Sequence, residues 1–305
     1  MKVDINKFTV TAIVLILSLI LSSSLSSSLT FGRDIFVNSS VGDDINSGLN
    51  ERDNGTQNGP VRTIRQGLKL SRAGDRLILD ASKPYKESIT LSGKNISSRN
   101  SENAFIIEGR GAILDGTEPI PMDVWKFYKD DIFRFQLTLA DVNVTYFHIL
   151  KDNKPIKRIH AASDATHLPN LEIESWCLFR GYIYFRTNGK KSPMFAEDYD
   201  LSYSERKTGI SIIQANNIKI HDLTVQGYQL DGIAAVNGAM NIILDDVTCC
   251  KNGRSGLAVG GGSSVAAGYS NFVDNCTTQV LLLQYAKYIF HKCYIPKNGI
   301  TNKTK

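Results

Sequence analysis

From Gly209 onward the chain repeats itself every 23 or 24 residues. Units begin at Gly209, Gly232, Gly256 and Gln279, and each holds three short runs of β-type residues separated by turns rich in Asn, Gly and Asp. In the first unit the runs are 210–213, 218–220 and 223–226. None has the length or the 3.6-residue spacing of an amphipathic helix. A unit of this size cannot bury its own apolar side and has to stack on its neighbours. Two columns show how. Ile210, Ile233, Leu257 and Val280 align, as do Ile212, Ala235, Val259 and Leu282, and the two-residue alternation of a strand points both sets inward. Asn252, Asn275 and Asn298 recur at 23-residue intervals, where an amide side chain can bond its own turn and the Asn one coil away. Three strands and an Asn corner per turn are the pattern of a parallel β-helix. A leucine-rich repeat would need one strand, LxxLxL spacing and a helical segment in each unit, and these are absent.

The 305 residues are 42 % hydrophobic and 21 % charged, which excludes a disordered tail, a collagen-like rod and a multi-span membrane protein. The formal charge of +5 is spread without a basic block, so there is no nucleic-acid footprint. Lys2 and Lys7, the apolar run Phe8 to Leu21 and the stretch SSSLSSSLTFG after it predict a secretory signal peptide over 1–28. That run is short for a membrane span, and a secreted or cell-surface location follows as an expectation. The five cysteines (Cys177, Cys249, Cys250, Cys276 and Cys293) lack the paired CxxC spacing of a zinc site and read as small apolar fillers. Asn-x-Ser/Thr sequons stand at Asn38, Asn54, Asn95, Asn143, Asn275 and Asn302.

Upstream of the repeats, GPVRTIRQGLKLSRAGDRLILDASKPYKESITL reads as a short helix leading into strands. Pro60 and Thr63 open the helix, Ile64 and Leu68 share one face, and Gly74 ends it; LILD, ESITL, FIIEG and GAILDG follow as strands. Together with the repeats, this segment resembles the right-handed parallel β-helix proteins of the pectate-lyase-like superfamily, over roughly 33–118 and 208–297. The resemblance implies an all-β right-handed parallel β-helix whose helix plugs the N-terminal end of the stack. On this reading 29–118 is the cap and first coils, and 208–305 the later coils. Between them 119–207 breaks the period with alternating, aromatic-rich segments, which predicts an inserted antiparallel β subdomain.

The resemblance is specific for fold and poor for activity, because one scaffold hosts many functions. Lyases of this class take a proton α to a uronic carboxylate, using a base and a cation or metal. One corner aligns GYQLD (227–231) with KNGRS (251–255), so Lys251 and Arg254 are candidates for base or carboxylate clamp, with Asp231 as partner. The alternative is a turn held by surface ion pairs. A second corner aligns His221-Asp222 with Asp245-Asp246, where Asp222, Asp245 and Asp246 could give oxygen ligands to Ca²⁺ or simply cap turns. The last coil, with VLLL and no amphipathic cap, invites cover by the insertion, a partner subunit or further chain. The functional expectation is binding or processing of an extracellular acidic polysaccharide, with β-elimination as its most specific form; the alternative is a non-catalytic carbohydrate-binding or structural protein.

Overall fold

The computed structural model describes residues 32–93, 96–98, 100–138, 142–189 and 199–303; the expected signal peptide over 1–28 and the sequon at Asn95 lie outside the described residues. The chain opens with β1 (Asp34–Val37), helix α1 (Ile64–Leu70), β2 (Arg76–Leu79), β3 (Ile89–Ser92) and the long β4 (Phe105–Asp115). An excursion follows: β5 (Thr117–Pro119), β6 (Lys126–Lys129), β7 (Ile132–Gln136), β8 (Ile149–Lys151), β9 (Lys154–Pro155), β10 (Trp176–Phe179), β11 (Tyr182–Arg186) and β12 (Leu201–Ser204). The chain returns as β13 (Ile210–Ile213), β14 (Asn216–Gln226), β15 (Asp231–Val236), β16 (Met240–Cys250), β17 (Ser255–Val259) and β18 (Ser264–Gly268). It closes with β19 (Asn271–Val273), β20 (Thr278–Leu282), β21 (Lys287–His291) and β22 (Ile300–Asn302).

Parallel pairing sorts these strands into two sheets. Sheet 1 runs β1-β2-β4-β14-β16-β18-β21, with β19 also on β16, and sheet 2 runs β3-β13-β15-β17-β20-β22. The chain alternates between them, so each strand lies beside its counterpart one repeat away, and the molecule is a parallel β-solenoid. Ile210, Ile233, Leu257 and Val280 fall in register along sheet 2 and are fully buried, as are Ile212, Ala235 and Val259 beside them. Burial of these columns between the sheets supplies the main stabilisation. The expected runs 218–220 and 223–226 are one strand, β14, bent at Asp222. Asp222, Asp246, Tyr269 and Lys292 form a column of left-handed residues, and Lys251 and Asp274 form another. Asn and Asp tolerate this conformation best, so part of the repeating Asn/Asp pattern is written by the backbone turn itself.

The asparagine ladder has two rungs, with a glutamine closing it. Asn275 Oδ1 accepts from the backbone N–H of Asn252 at 3.0 Å and from its Nδ2 at 2.9 Å. Asn275 Nδ2 donates to the carbonyls of Cys249 (3.1 Å) and Val273 (3.0 Å). Its next partner is not the expected Asn298, which is exposed, but Gln279, whose Oε1 accepts from Asn275 N at 3.0 Å and Nδ2 at 2.8 Å.

Helix α1 is capped by Thr63, whose hydroxyl accepts from Gln66 N. It ends at Leu70, where the Ser71 hydroxyl donates to the Gly67 carbonyl at 2.8 Å; the expected stop at Gly74 is a separate turn with φ +86° leading into β2. Ile64 and Gly67 are buried against the first coils, and a Cβ at Gly67 would meet Leu77 Cδ1 at 2.6 Å.

The excursion forms two antiparallel sheets, β10-β11-β7-β6 and β5-β12-β8-β9. Their core holds Phe147, Ile149, Trp176, Ile183 and Phe185, with Phe147 and Trp176 edge to face at 5.8 Å. It docks on the solenoid through a buried polar seam. Asn143 N donates to Gln229 Oε1 (2.8 Å), and Gln229 Nε2 donates to the carbonyls of Ser204 (3.1 Å) and Glu205 (2.8 Å). His148 lies between the carbonyls of Tyr146 (3.1 Å) and Lys251 (2.9 Å).

Burial holds the His148 imidazole below its ordinary range. The unfolded chain protonates this ring near pH 6.5 while the folded chain resists, so its contribution to stability is present above about pH 6.5 and lost as the pH falls. The urea midpoint is therefore expected to drop between about pH 7.5 and 5, and His148→Gln to flatten that slope. An equally steep slope in the variant would remove His148 from the account.

Candidate functional site

The structure brings Arg254 to Asp231 and commits both. Arg254 Nε and Nη2 donate to the two carboxylate oxygens at 3.0 and 2.5 Å, and Ser255 Oγ donates to Asp231 Oδ1 at 2.6 Å. Asp231 is 1 % exposed. The carboxylate pushes the Arg254 guanidinium further up, so it stays charged. Lys251 takes the left-handed turn; its ammonium reaches Gln226 Oε1 at 3.4 Å, and its carbonyl contacts His148 of the excursion. Lys251 thus joins the solenoid to the excursion, while Arg254, Ser255 and Asp231 tie adjacent coils together.

The second corner divides its acids. Asp245 lies on β16 and pairs with Lys219 Nζ at 3.3 Å, while Asp222 and Asp246 each occupy a left-handed turn position. Among the described residues no group of three or more His, Cys, Asp or Glu is placed to hold a metal ion, so Asp222, Asp245 and Asp246 do not form the expected Ca²⁺ cage. The reason is register: Asp245 is a strand residue aligned with His221, whereas the other two turn the chain.

What the register does assemble is an outward row on sheet 1. Glu108 on β4, His221 on β14 and Asp245 on β16 lie side by side on consecutive strands. His221 Nδ1 meets the Asp245 carbonyl at 3.1 Å and its carboxylate at 3.4 Å, and Nε2 faces Glu108 Oε1 at 3.8 Å. All three side chains are about one-third exposed. Sequence reading named His221 and Asp245 but missed Glu108, because the excursion interrupts the period between β4 and β14.

Beside this row runs a groove of about 560 Å³. Ile243, Ala266 and Ile289 form an exposed apolar floor in register across β16, β18 and β21. Asn217, Asn241, Ser264 and Lys287 form one rim, where Asn241 Nδ2 donates to Asn217 Oδ1 at 3.2 Å. Lys287 has no carboxylate within ion-pair distance among the described residues. Isoleucines 45 % and 69 % exposed on a sheet face are unusual enough to mark a contact surface. Cys177, Cys249 and Cys250 are buried as the expected apolar fillers, and burial raises each of them, whereas Cys276 is exposed and Cys293 half-buried.

No protein-family model matches the chain, and no curated protein matches its sequence. Solved structures match in fold. One described as a glycoside hydrolase superposes with a TM-score of 0.59 at 10 % identity, over 90 % of this chain and 74 % of its own. XylC, solved in complex with xylose, gives 0.48 at 12 % identity over 85 % of this chain. The pectate lyase Pel9A gives 0.21 at 10 % identity, over 88 % of this chain and 72 % of that one. This chain spans 62 % of the length of XylC. At such identities the likeness concerns fold alone. The class defined is a mainly β protein of parallel sheets, solenoid in type, similar in fold to a structure described as a glycoside hydrolase. In this chain the groove and the acid–imidazole row lie on the outer face of sheet 1.

Proposed function

We propose that this protein is an extracytoplasmic right-handed parallel β-helix protein that binds an acidic polysaccharide along the outer face of sheet 1, with lyase-type β-elimination as the finest form of that reading. The groove carries it. An apolar floor for sugar-ring faces, amide and hydroxyl groups on the rim, and a lysine free to meet a carboxylate are the chemistry of a polyanionic glycan site. Stacked strands repeat these groups at intervals of about 4.8 Å, which suits an extended polymer. The fold-level likeness to a glycoside hydrolase is consistent with this reading. A non-catalytic binding protein is the second reading, favoured by the commitment of Arg254 and Asp231 to each other.

Affinity electrophoresis through gels containing polygalacturonate, alginate or a neutral glucan tests it. Ala266→Glu fills the groove at an exposed position with a like charge and is expected to weaken retardation by the uronate polymers at least tenfold with unchanged melting. Lys287→Glu should weaken it for the uronate polymers and leave any neutral-glucan retardation as it was. Wild-type migration of Ala266→Glu, or no retardation of the wild type by any uronate polymer, would overturn the reading.

A further inference from the structure

We propose that the excursion carries a binding site of its own, in which Arg134, flanked by the rings of Tyr128 and Tyr182, takes the oxyanion of an acidic sugar. The site lies on a different sheet from the groove of sheet 1 and does not depend on the reading given to that groove.

Strand alternation decides which side chains meet here. In the sheet β10-β11-β7-β6, Phe135, Trp176, Ile183 and Phe185 point into the excursion's core. Arg134 precedes Phe135, and Tyr184 stands between Ile183 and Phe185, so both face the other way. The two lie directly opposite one another on β7 and β11, and Lys126 of β6 pairs with Arg134 from the other side. The register of β6 shifts at Tyr128, whose ring meets Tyr184 edge to face at 5.0 Å.

These rings hold the guanidinium in place. Its carbon lies 4.6 Å from the Tyr182 ring centre and 5.1 Å from that of Tyr128, and Nη1 donates to the Tyr184 hydroxyl at 3.2 Å. A long side chain is thereby ordered during folding, so a ligand does not have to order it again.

Its charge, by contrast, is left unmet. Among the described residues Arg134 has no carboxylate within ion-pair distance, and the Tyr184 hydroxyl is its one hydrogen-bond partner, for a group with five N–H donors. The neighbouring arginines of this region are answered: Arg186 pairs with Asp131 at 3.0 Å and Arg206 with Glu118 at 2.9 Å. No Asp or Glu occurs in any of the four strands, while Lys126 adds positive charge beside Arg134. Arg180, in the turn between β10 and β11, adds more, with its guanidinium 5.1 Å from the Phe179 ring centre.

The ligand follows from these groups. A fixed fork of free N–H donors matches a carboxylate or sulfate ester. Tyr128 is 38 % exposed and Tyr182 half-buried, so ring surface borders the charge and suits the C–H face of a sugar. A nucleic acid is disfavoured, because the +5 charge of the chain gathers into no basic block.

A site for one sugar residue is expected to bind with a Kd of about 1 mM, too weak to retard the protein in a gel. Retardation therefore reports the groove, and NMR reports this site. The wild type and Ala266→Glu are each titrated with trigalacturonate, a sulfated trisaccharide, cellotriose and oligothymidylate. Saturable shifts of the Arg134 Nε–Hε signal and the Tyr128 and Tyr182 ring signals are expected with an acidic trisaccharide, at the same Kd in both proteins. The tighter of the two acidic sugars decides between carboxylate and sulfate, and cellotriose should shift nothing. Arg134→Gln should raise Kd at least tenfold, and Arg134→Lys, which keeps the charge and loses the fork, about threefold. Tyr128→Leu should weaken the trisaccharide and leave the Arg134 shift produced by inorganic sulfate as it was. The proposal is overturned by no Arg134 shift with either acidic trisaccharide, by equal binding of cellotriose, or by tighter binding of oligothymidylate. An unchanged Kd in both Arg134 variants with wild-type melting overturns it as well. Each of these results leaves the sheet 1 reading standing, and loss of polymer retardation leaves this site standing.

Discussion

Arg254→Ala is expected to destabilise the protein by about 3–4 kcal/mol in urea unfolding, more than Asp231→Ala, and the double variant is expected to recover part of the loss. The asymmetry follows from exposure. The Asp231 side chain is 1 % exposed and the Arg254 side chain 30 %. Removing the guanidinium leaves a carboxylate in the interior with Ser255 as its remaining hydrogen-bond donor, whereas removing the carboxylate leaves a guanidinium that can turn into water. Taking both away removes the unpaired charge. If Arg254→Ala keeps wild-type stability and loses polysaccharide cleavage, the corner is a working site and its structural assignment is wrong.

Asn275→Leu should cost about 3 kcal/mol. The side chain is nearly isosteric, so packing changes little and the effect isolates hydrogen bonding. Five groups lose a bond at once: the Asn252 N–H and amide, the carbonyls of Cys249 and Val273, and the Gln279 amide oxygen. Asn252 is fully buried, so water does not replace what is lost there. Asn298→Gly is the control, because Asn298 is exposed, outside the ladder and in a left-handed conformation (φ +64°) that glycine adopts without strain; it should change stability by less than about 0.5 kcal/mol. Equal effects at the two positions would mean that the corner is held by backbone geometry and that the amides are incidental.

The contrast between Asn275 and Asn298 shows where reading the sequence reached its limit. Spacing placed both in one column, but a ladder needs a coil on each side, and the last coil has its partner, Gln279, four residues from Asn275 instead of one repeat away. Spacing likewise brought Arg254 to Asp231 correctly, since both belong to adjacent uninterrupted coils. It did not reveal that Lys251 meets His148, because that contact spans 103 residues and depends on where the excursion lands. Glu108 was hidden for the same reason. It precedes the excursion, its register on β14 shifts between His221 and Leu223, and no local pattern ties it to the repeats.

By itself the sequence determined the repeat, the inward columns and the alternation of strands and turns. Each coil must bury one face on the next, and that requirement is written locally, once per period, in every coil. The tertiary structure alone decided which polar residues meet: that Asp222 and Asp246 turn the chain while Asp245 joins His221, that Glu108 completes their row, and that the excursion closes over the Lys251 corner. Those meetings depend on contacts between segments far apart in the chain, where a single hydrogen bond or ion pair fixes the outcome and no periodic burial leaves a trace of it.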